Sequence, residues 1–266
     1  MNTQFRPKKK LGQHFLRHED DARRIVESIA IQPGDRVIEI GPGEGVLTGF
    51  LMASDAAELT CVEVDDRLIP WLEARYGTDS RMRLVHADFL KWPIPAPEAG
   101  STKYRVAGNL PYYITSPILF RLLDERSKIR DATVMIQKEV AERLVSGPGS
   151  KAYGIPSVFF QLYGKVKLLF TVPREAFMPV PEVDSAVISI QFLDEPIVPI
   201  PDEDFLKKMV KTVFGQRRKM LRNTLKSFVT DPAWLEKLDV DIQRRPEELS
   251  PEAFVALSGK LISLSG

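Results

Sequence analysis

Short apolar runs alternate with amphipathic stretches through the first half of the chain. The runs have the length and the β-branched content of buried strands, and the stretches between them carry apolar residues at helical spacing. The predicted strands are residues 36–40, 59–64, 82–86, 104–108 and 132–137, and the predicted helices are residues 45–53, 66–76, 117–125 and 138–145. Strands that alternate with helices form a parallel sheet with helices on both faces. We therefore predict an α/β fold.

The pattern changes near residue 160. Residues 165–172 and 186–192 both have the apolar pattern of strands, and only a loop lies between them. Two strands without a crossover helix pair most readily as antiparallel neighbours. We therefore expect the mostly parallel sheet to carry an antiparallel pair at one edge.

Helical patterns fill the last quarter of the chain. A linker with Pro196, Pro199 and Pro201 precedes them, and proline residues stiffen such linkers. The helical patterns are residues 205–214, 217–229, 232–238 and 251–264. We predict two domains, an α/β domain over residues 1–195 and a small all-α domain over residues 200–266.

Composition excludes several classes of protein. Hydrophobic residues make up 44% and charged residues 27% of the 266 residues, as in ordinary globular proteins. No apolar run reaches the roughly 18 residues that a membrane span needs, and the N-terminus lacks the apolar core of a secretory signal. The single cysteine, Cys61, rules out a disulfide within the chain, and the three histidines lack metal-ligand spacing. We expect a cytoplasmic monomer without a bound metal.

The basic residues are segregated, although the net charge is only +1. Residues 1–17 hold five basic residues and residues 207–226 hold eight, and neither segment contains an acid. Two such segments on a near-neutral protein favour a polyanion-binding face. The alternative is a pair of solvated charged faces.

A glycine-rich turn follows the first predicted strand, in the sequence VIEIGPGEG at residues 37–45. Glycines allow the backbone to pass close to a ligand. Glu63 ends the next strand, where a carboxylate can accept hydrogen bonds from both hydroxyls of a ribose. This arrangement fits any cofactor that contains adenosine.

Three features favour S-adenosylmethionine over a dinucleotide. The dinucleotide fingerprint needs Gly or Ala where this chain has Val46. Glu39 would repel a pyrophosphate but suits a cationic sulfonium amino acid, and Asp88 at the end of the third strand can accept from an adenine amino group. The candidate cofactor residues in these segments are Glu39, Gly41, Gly43, Glu63, Val64, Asp88 and Phe89.

The sequence NLPY at residues 109–112 follows the fourth strand. It resembles the (D/N/S)-(I/L/P)-P-(Y/F/W) motif of methyltransferases that modify amino groups on planar rings. The Asn109 side-chain oxygen and the Leu110 carbonyl can accept both N–H bonds of adenine N6, which aims the lone pair at the methyl group and stabilises the developing positive charge. Pro111 keeps the turn rigid, and Tyr112 offers a face for a flipped base.

Together with other segments, these motifs resemble the KsgA/RsmA family of small-subunit ribosomal RNA adenine N6,N6-dimethyltransferases. The resemblance runs from about residue 9 to about residue 226. The matching segments are KLGQHFL (10–16), EIGPG (39–43), NLPY (109–112), QKEVA (137–141), PGSKAYG (148–154), FMPVPEVDS (177–185) and RRKMLRN (217–223).

The resemblance implies a Rossmann-like class I S-adenosylmethionine methyltransferase sheet and a specific substrate. Members of the family place two methyl groups on each of two adjacent adenosines, in a hairpin near the 3′ end of small-subunit ribosomal RNA. The other product is S-adenosylhomocysteine. The implied partner is this RNA within an immature small ribosomal subunit, and the implied role is in the biogenesis of that subunit.

The resemblance also implies residue roles. His14 and Leu16 would contact the cofactor from a basic N-terminal segment, residues 1–20, that closes over it. Gly41 would line the methionine moiety, and Asn109 would contact both the cofactor and the target nitrogen.

Tyr112 and Phe177 would sandwich the target adenine. The PGSKAYG loop would be a mobile lid over the acceptor site or a plain connection between helices. The candidate RNA contacts are Lys8, Lys9, Lys10, Lys151, Arg217, Arg218, Lys219 and Arg222.

Two positions depart from the family pattern. The family usually has Asn at the position of His14, so we expect weaker or pH-sensitive cofactor binding. Tyr113 lies where a polar residue is frequent, and it can alter how a monomethylated base turns for its second methyl group.

Two other functions stay open. One is a related enzyme that methylates a large-subunit adenine and confers macrolide resistance. The other is an RNA-binding assembly factor on a methyltransferase scaffold that does not need catalysis. Intact acids at Glu63 and Asp88 and the intact motif at residues 109–112 argue against the second.

Overall fold

The computed structural model describes residues 5–8, 11–98, 100–238 and 240–265. The chain divides into two compact units, of which the first comprises Met1–Ala141 and Val166–Phe192 and the second comprises Glu142–Lys165 and Leu193–Gly266. Residues 142–165 thus group with the C-terminal region, although the predicted boundary assigned them to the first domain. The division into folding domains at residues 195–200 stays a prediction.

A mixed, mostly parallel sheet organises the first unit. The strands are β1 Phe15–Leu16, β2 Arg36–Ile40, β3 Glu58–Glu63, β4 Met82–His86, β5 Tyr104–Asn109, β6 Ile129–Gln137, β7 Gly164–Val172, β8 Phe177–Met178 and β9 Ser185–Phe192. Seven of them form one sheet in the order β4-β3-β2-β5-β6-β9-β7, and β1 pairs with β8. Neighbours from β4 to β6 are parallel, and β9 is antiparallel to β6. The predicted fold class is therefore confirmed.

Helices follow the strands as predicted, with one addition. The helices of the first half are α1 Glu19–Ile29, α2 Val46–Met52, α3 Ile69–Tyr76, α4 Thr115–Asp124 and α5 Lys138–Val145. The sequence analysis did not predict α1. Its buried residues Ala22, Ile25, Val26 and Ile29 have helical spacing and pack beside the strands.

The second unit contains α6 Ile155–Tyr163, α7 Glu203–Gly215, α8 Leu221–Thr224 and α9 Pro251–Ser265. The predicted long helix over residues 217–229 is wrong, because only α8 and a 3₁₀ turn at Leu225–Phe228 form there. The amides of Leu221 and Arg222 donate instead to the carbonyls of Arg244 and Ile242. These bonds to another segment replace the helical ones that a continuous helix would need.

A buried ion network lies at the amino ends of three adjacent strands. Arg105 of β5 donates to Asp131 of β6 at 2.9 Å and to Asp35, which precedes β2, at 3.0 Å. Arg105 also donates to the carbonyl of Ala30, a residue with a left-handed φ of 54° after α1. The network therefore ties α1 to the ends of the central strands, on the side of the sheet away from the glycine-rich turn.

Removal of the central cation should destabilise the first unit strongly. Arg105→Ala removes the buried partner of two carboxylates and leaves them only Arg130, whose side chain is 38% exposed. The loss should be about 3 kcal/mol, at the low end of the cost of breaking a buried ion pair. The matched control is Arg174→Ala, because the Arg174–Glu175 pair has side chains that are 51% and 65% exposed and such pairs contribute about 0–1 kcal/mol. Urea unfolding measures both changes. Equal losses in the two variants would contradict this account of the network.

Candidate active site

A cleft opens at the carboxyl ends of β2 to β5. Parallel strands present these ends at one edge of the sheet, so the loops that follow them converge there. The N-terminal segment contributes the remaining wall, through residues 11–16. The predicted site residues at the strand ends that line the cleft are Glu39, Gly41, Gly43, Glu63, Val64, Asp88, Phe89, Asn109, Leu110, Pro111 and Tyr112. The structure thus brings together the predicted cofactor and acceptor segments.

The glycine-rich turn has backbone conformations that favour glycine. Gly41, Gly43 and Gly45 have φ of 62°, 59° and 86°. A Cβ at Gly41 would meet nothing within 4 Å, whereas one at Gly43 would lie 3.3 Å from the Phe15 ring. Gly41 therefore leaves open space beside the backbone, as a bound ligand requires.

Glu39 is a buried carboxyl at the floor of the cleft. Its side chain accepts a hydrogen bond of 2.7 Å from the Thr48 hydroxyl, and the Cys61 thiol lies 3.4 Å away. Burial raises the pKa of Glu39 to about 7, although these hydrogen bonds oppose the rise. A cationic ligand next to this group would favour its ionised form.

Glu63 joins two loops through its carboxylate. Oε1 accepts from the amides of Val64 and Asp65, each at 2.8 Å, and Oε2 accepts from the amide of Gly43 at 3.1 Å. Burial raises the pKa of Glu63, and the three backbone hydrogen bonds oppose that rise. Two carboxylate oxygens offer about four acceptor positions, so one position on Oε2 is left for a ligand hydroxyl.

The adenine end of the predicted cofactor site has the expected polar and apolar parts. Asp88 accepts from the Leu90 amide through Oδ1 at 2.9 Å. Phe89 is buried, and the Arg121 guanidinium lies 5.3 Å from its ring centre. Val64 is 47% exposed at the cleft and offers an apolar face to a ring.

The acceptor motif is anchored to the N-terminal segment. Asn109 donates from Nδ2 to the His14 carbonyl at 3.0 Å, which leaves Oδ1 as an acceptor. The Leu110 amide donates to the Met135 carbonyl at 3.0 Å, and the Pro111 carbonyl accepts from the Thr115 hydroxyl at 2.9 Å. These bonds fix the turn that carries the motif.

Tyr112 lines the cleft and Phe177 does not, so the sandwich of the target adenine by these two rings stays a prediction. Phe177 is 2% exposed, belongs to a hydrophobic cluster with Leu16 and Val187, and is not among the residues that line the cleft. It pairs with Leu16 across the β1–β8 ladder, and paired residues share one face. Both side chains are therefore buried toward the core. Leu16 still lines the cleft, although it is only 3% exposed.

His14 supplies the aromatic ring beside Tyr112. The two rings stack with centres 5.5 Å apart at an angle of 25°. His14 Nδ1 lies 2.8 Å from the Pro179 carbonyl, which can only accept, so Nδ1 carries the proton. The Tyr112 hydroxyl pairs with Ser185 Oγ at 2.7 Å. The residue that departs from the family pattern thus lies at the boundary of the acceptor motif.

Asp65 anchors the N-terminal segment, and the sequence analysis did not identify it. Lys8, a predicted RNA contact, instead forms ion pairs of 2.8 Å with Asp65 and Asp66. Gln13 and Arg67 also donate to Asp65. Lys9 and Lys10 lie outside the described residues. The signal available in the sequence was the pair of adjacent acids, Asp65 and Asp66, that follows Val64.

Another ion pair connects the same segment to the glycine-rich turn. Arg17 lies 2.7 Å from Glu44. Nearby, the ring of Tyr113 packs against Gly12, where an added Cβ would lie 2.9 Å from that ring. The N-terminal segment is therefore held to the cleft at several points along its length.

The predicted RNA contacts in the second unit differ in exposure. Arg217 is committed to internal bonds, because it pairs with Glu247 and donates to the Ser150 carbonyl at 3.1 Å. The Gly149 amide also donates to the Glu247 carbonyl at 2.7 Å. These bonds favour a fixed connecting loop at residues 148–154 rather than a lid. Four candidates are exposed, namely Lys151, Arg218, Lys219 and Arg222.

The chain as a whole matches a known family model. That model describes the ribosomal RNA adenine dimethylases, and it matches residues 4–262. The chain belongs to the ribosomal RNA adenine dimethylase family. The resemblance inferred from the seven sequence segments is therefore confirmed.

Sequence similarity to relatives extends over nearly the whole chain. It is 41% identical over 263 residues to the ribosomal RNA small subunit methyltransferase A of Pseudomonas aeruginosa, covering 99% of this chain and 97% of the relative. It is 43% identical over 252 residues to the protein of the same name from Porphyromonas gingivalis, covering 94% and 96%.

Two solved structures share the fold. A dimethyladenosine transferase from Plasmodium falciparum superposes with a TM-score of 0.79 at 25% identity, covering 92% of this chain and 96% of that one. The 23S rRNA methyltransferase ErmE superposes with a TM-score of 0.70 at 28% identity, covering 93% and 99%. The sheet and the C-terminal helices thus both have counterparts in these two structures.

Neither a metal-binding cluster nor a membrane-spanning helix occurs within the described residues. Among them, no group of three or more His, Cys, Asp and Glu side chains is arranged to hold a metal ion. No helix within the same ranges has the length and apolar character to cross a membrane.

The raised pKa of Glu39 should make the unfolding free energy of this protein depend on pH. Because the pKa is about 7 in the folded state against 4.5 for an ordinary Glu, the folded protein binds this proton more tightly than the unfolded chain. Glu39 therefore lowers the unfolding free energy as pH rises from about 5 to about 7, by up to about 3 kcal/mol.

Glu39→Gln should remove that dependence while keeping the side-chain shape. Urea unfolding at several pH values between about 5 and 8, without cofactor, measures both proteins. Relative to the variant, the wild type should lose stability across this window. Parallel pH profiles of the two proteins would show that Glu39 ionises normally.

Proposed function

We propose that this protein dimethylates N6 of two adjacent adenosines in a hairpin near the 3′ end of small-subunit ribosomal RNA, with S-adenosylmethionine as the methyl donor. We further propose that it acts as a cytoplasmic monomer on an immature small subunit during biogenesis of that subunit. The identity of 41% and 43% to relatives named ribosomal RNA small subunit methyltransferase A supports the substrate. The cleft supports the chemistry.

The residues of the cleft fit S-adenosylmethionine. The free acceptor position on Glu63 suits a ribose hydroxyl, and Asp88 with Phe89 and Val64 suits an adenine ring with its amino group. Glu39 and the open space at Gly41 suit the cationic methionine end. When bound, this cofactor supplies a methyl group on a sulfonium, which is an electrophile that needs no metal.

The acceptor motif can prepare the adenine nitrogen. The N6 lone pair is delocalised into the ring and is a poor nucleophile. Asn109 Oδ1 and the Leu110 carbonyl would accept the two N–H bonds, so that the lone pair turns out of the ring plane and the developing positive charge is stabilised. The product ammonium is acidic and loses its proton to water, so these residues need no strong base.

The orientation of the Asn109 amide is the observation that carries the proposal. Its Nδ2 is committed to the His14 carbonyl at 3.0 Å. The oxygen is therefore the atom available to the substrate, as an amino-group acceptor requires. An amide turned the other way would present a donor to an N–H bond and would oppose binding of the target.

The two other functions have less support. The large-subunit activity is favoured by the likeness to ErmE, but at 28% identity against 41% and 43% for the small-subunit relatives. A purely structural assembly factor would not need the buried acids and the fixed amide of the cleft. Methyl groups mapped to large-subunit RNA, or none on either RNA, would favour these alternatives.

Asn109→Ala should abolish most methyl transfer without loss of RNA affinity. The loss of a preorganised acceptor costs roughly 10²-fold or more in rate. Single-turnover transfer of labelled methyl to immature small subunits measures the rate, and filter binding measures affinity. Gln32→Ala, at an exposed amide that precedes β2 and lies away from the cleft, serves as the control. Comparable rates for wild type and Asn109→Ala would refute the assigned role.

The exposed cations of the second unit should bind RNA phosphates. Arg218→Gln with Arg222→Gln is expected to weaken RNA binding and to reduce the salt slope by roughly 2, because each phosphate contact contributes about one unit. Arg75→Gln with Arg83→Gln removes the same charge from exposed positions on the first unit. Equal salt slopes for the two double variants would exclude the surface around Arg218 and Arg222.

A further inference from the structure

A buried carboxylate outside the predicted site collects donors from two parts of the first unit. The side chain of Asp65 has no exposed surface. It accepts from Lys8 Nζ at 2.8 Å, from Gln13 Nε2 at 2.9 Å, and from Arg67 Nη2 at 2.7 Å. Burial alone would raise the pKa of Asp65, but the hydrogen bonds from Arg67, Lys8 and Gln13 hold it well below its usual range. The group is therefore a fixed anion.

On one side, Asp65 is joined to the proposed ribose site. Its backbone amide donates to Oε1 of Glu63 at 2.8 Å. The same Glu63 carboxylate accepts from Gly43 in the glycine-rich turn. The position of Asp65 is thus set by the loop that would contact the cofactor.

On the other side, Asp65 is joined to the acceptor motif. Gln13 donates to Asp65 and also accepts from the Lys8 amide at 2.8 Å, so its side chain fastens the N-terminal segment. The next residue, His14, presents the carbonyl that holds Asn109 Nδ2 at 3.0 Å. Direct contacts and neighbouring residues therefore connect Glu63, Asp65, Gln13, His14 and Asn109.

We propose that Asp65 is a positioning residue for methyl transfer. It fixes Gln13, and Gln13 places the His14 carbonyl that orients the Asn109 amide toward the target amino group. This inference rests on the proposed function, because it assigns to Asp65 the alignment of the acceptor atom in that reaction. Asp65 is not among the residues that line the cleft, so it would act through Gln13 and not by contact with the target base.

The chemistry of the group explains why a carboxylate is needed. Three side chains approach Asp65 only with donors, and an ionised carboxylate only accepts. An Asn at this position would place an NH₂ group against one of these donors. The matched control is adjacent, since Asp66 is 71% exposed and contacts Lys8 Nζ at 2.8 Å.

The test compares three single variants of the full-length protein. Asp65→Asn should lower kcat about tenfold or more at saturating RNA and S-adenosylmethionine, because a misplacement of about 1 Å at a reacting group can cost up to roughly 10²-fold. Asp66→Asn removes the same charge and should keep the wild-type kcat. The dissociation constant for S-adenosylhomocysteine, from calorimetry, should change less than about threefold in Asp65→Asn.

Gln13→Ala tests the same connection if the Asp65 variant does not fold. It leaves the ion pairs of Asp65 with Lys8 and Arg67 in place. It should lower kcat like Asp65→Asn, and the double variant should be no slower than the slower single variant, since both changes break one connection. Trypsin should also cut within residues 5–17 faster in both single variants than in Asp66→Asn.

The outcomes separate this inference from the proposed function. A wild-type protein that transfers no methyl group to small-subunit RNA would refute the function, and unchanged tryptic cleavage in Asp65→Asn and Gln13→Ala would then refute the positioning role as well. An active wild type with a folded Gln13→Ala variant of equal kcat would overturn the inference alone. So would an effect confined to the KM for the cofactor, because it would restrict Asp65 to cofactor binding.

Discussion

The Glu63 carboxylate is the interaction on which the arrangement of the cleft depends. It accepts from backbone amides of Gly43, Val64 and Asp65, and so binds the glycine-rich turn to the loop after β3. This is possible because β2 and β3 are parallel, with Ile40 beside Val62, so that both loops leave the sheet at the same edge. The cofactor residues and the anchor of the N-terminal segment are then positioned from one buried group.

Charge is distributed differently at the two ends of the strands. At the amino ends, Arg105 balances Asp35 and Asp131, and the network serves stability. At the carboxyl ends, Glu39 and Glu63 are buried with raised pKa values and are hydrogen-bonded to neutral groups. A cation in this site would stabilise the ionised carboxylates, and a sulfonium amino acid would supply one. Asp65 differs from Glu39 and Glu63 because it forms ion pairs with Lys8 and Arg67 of the same chain.

The sequence predicted the sheet, the glycine-rich turn and the acceptor motif because local patterns encode them. Strand periodicity and strand-end acids need no tertiary information. The stacking of His14 on Tyr112, the burial of Phe177 and the anchoring role of Asp65 depend on contacts between segments far apart in the chain. The prediction of a helix over residues 217–229 was wrong for the same reason, because the amides of Leu221 and Arg222 hydrogen-bond to a distant segment.

A crystal structure with S-adenosylhomocysteine bound tests the central claim most directly. The account predicts a ribose hydroxyl within hydrogen-bond distance of Glu63 Oε2, the adenine amino group at Asp88, and the sulfur facing Asn109 with its amide still held by the His14 carbonyl. A ligand bound away from the ends of β2 to β5, or an Asn109 amide released from His14, would contradict it.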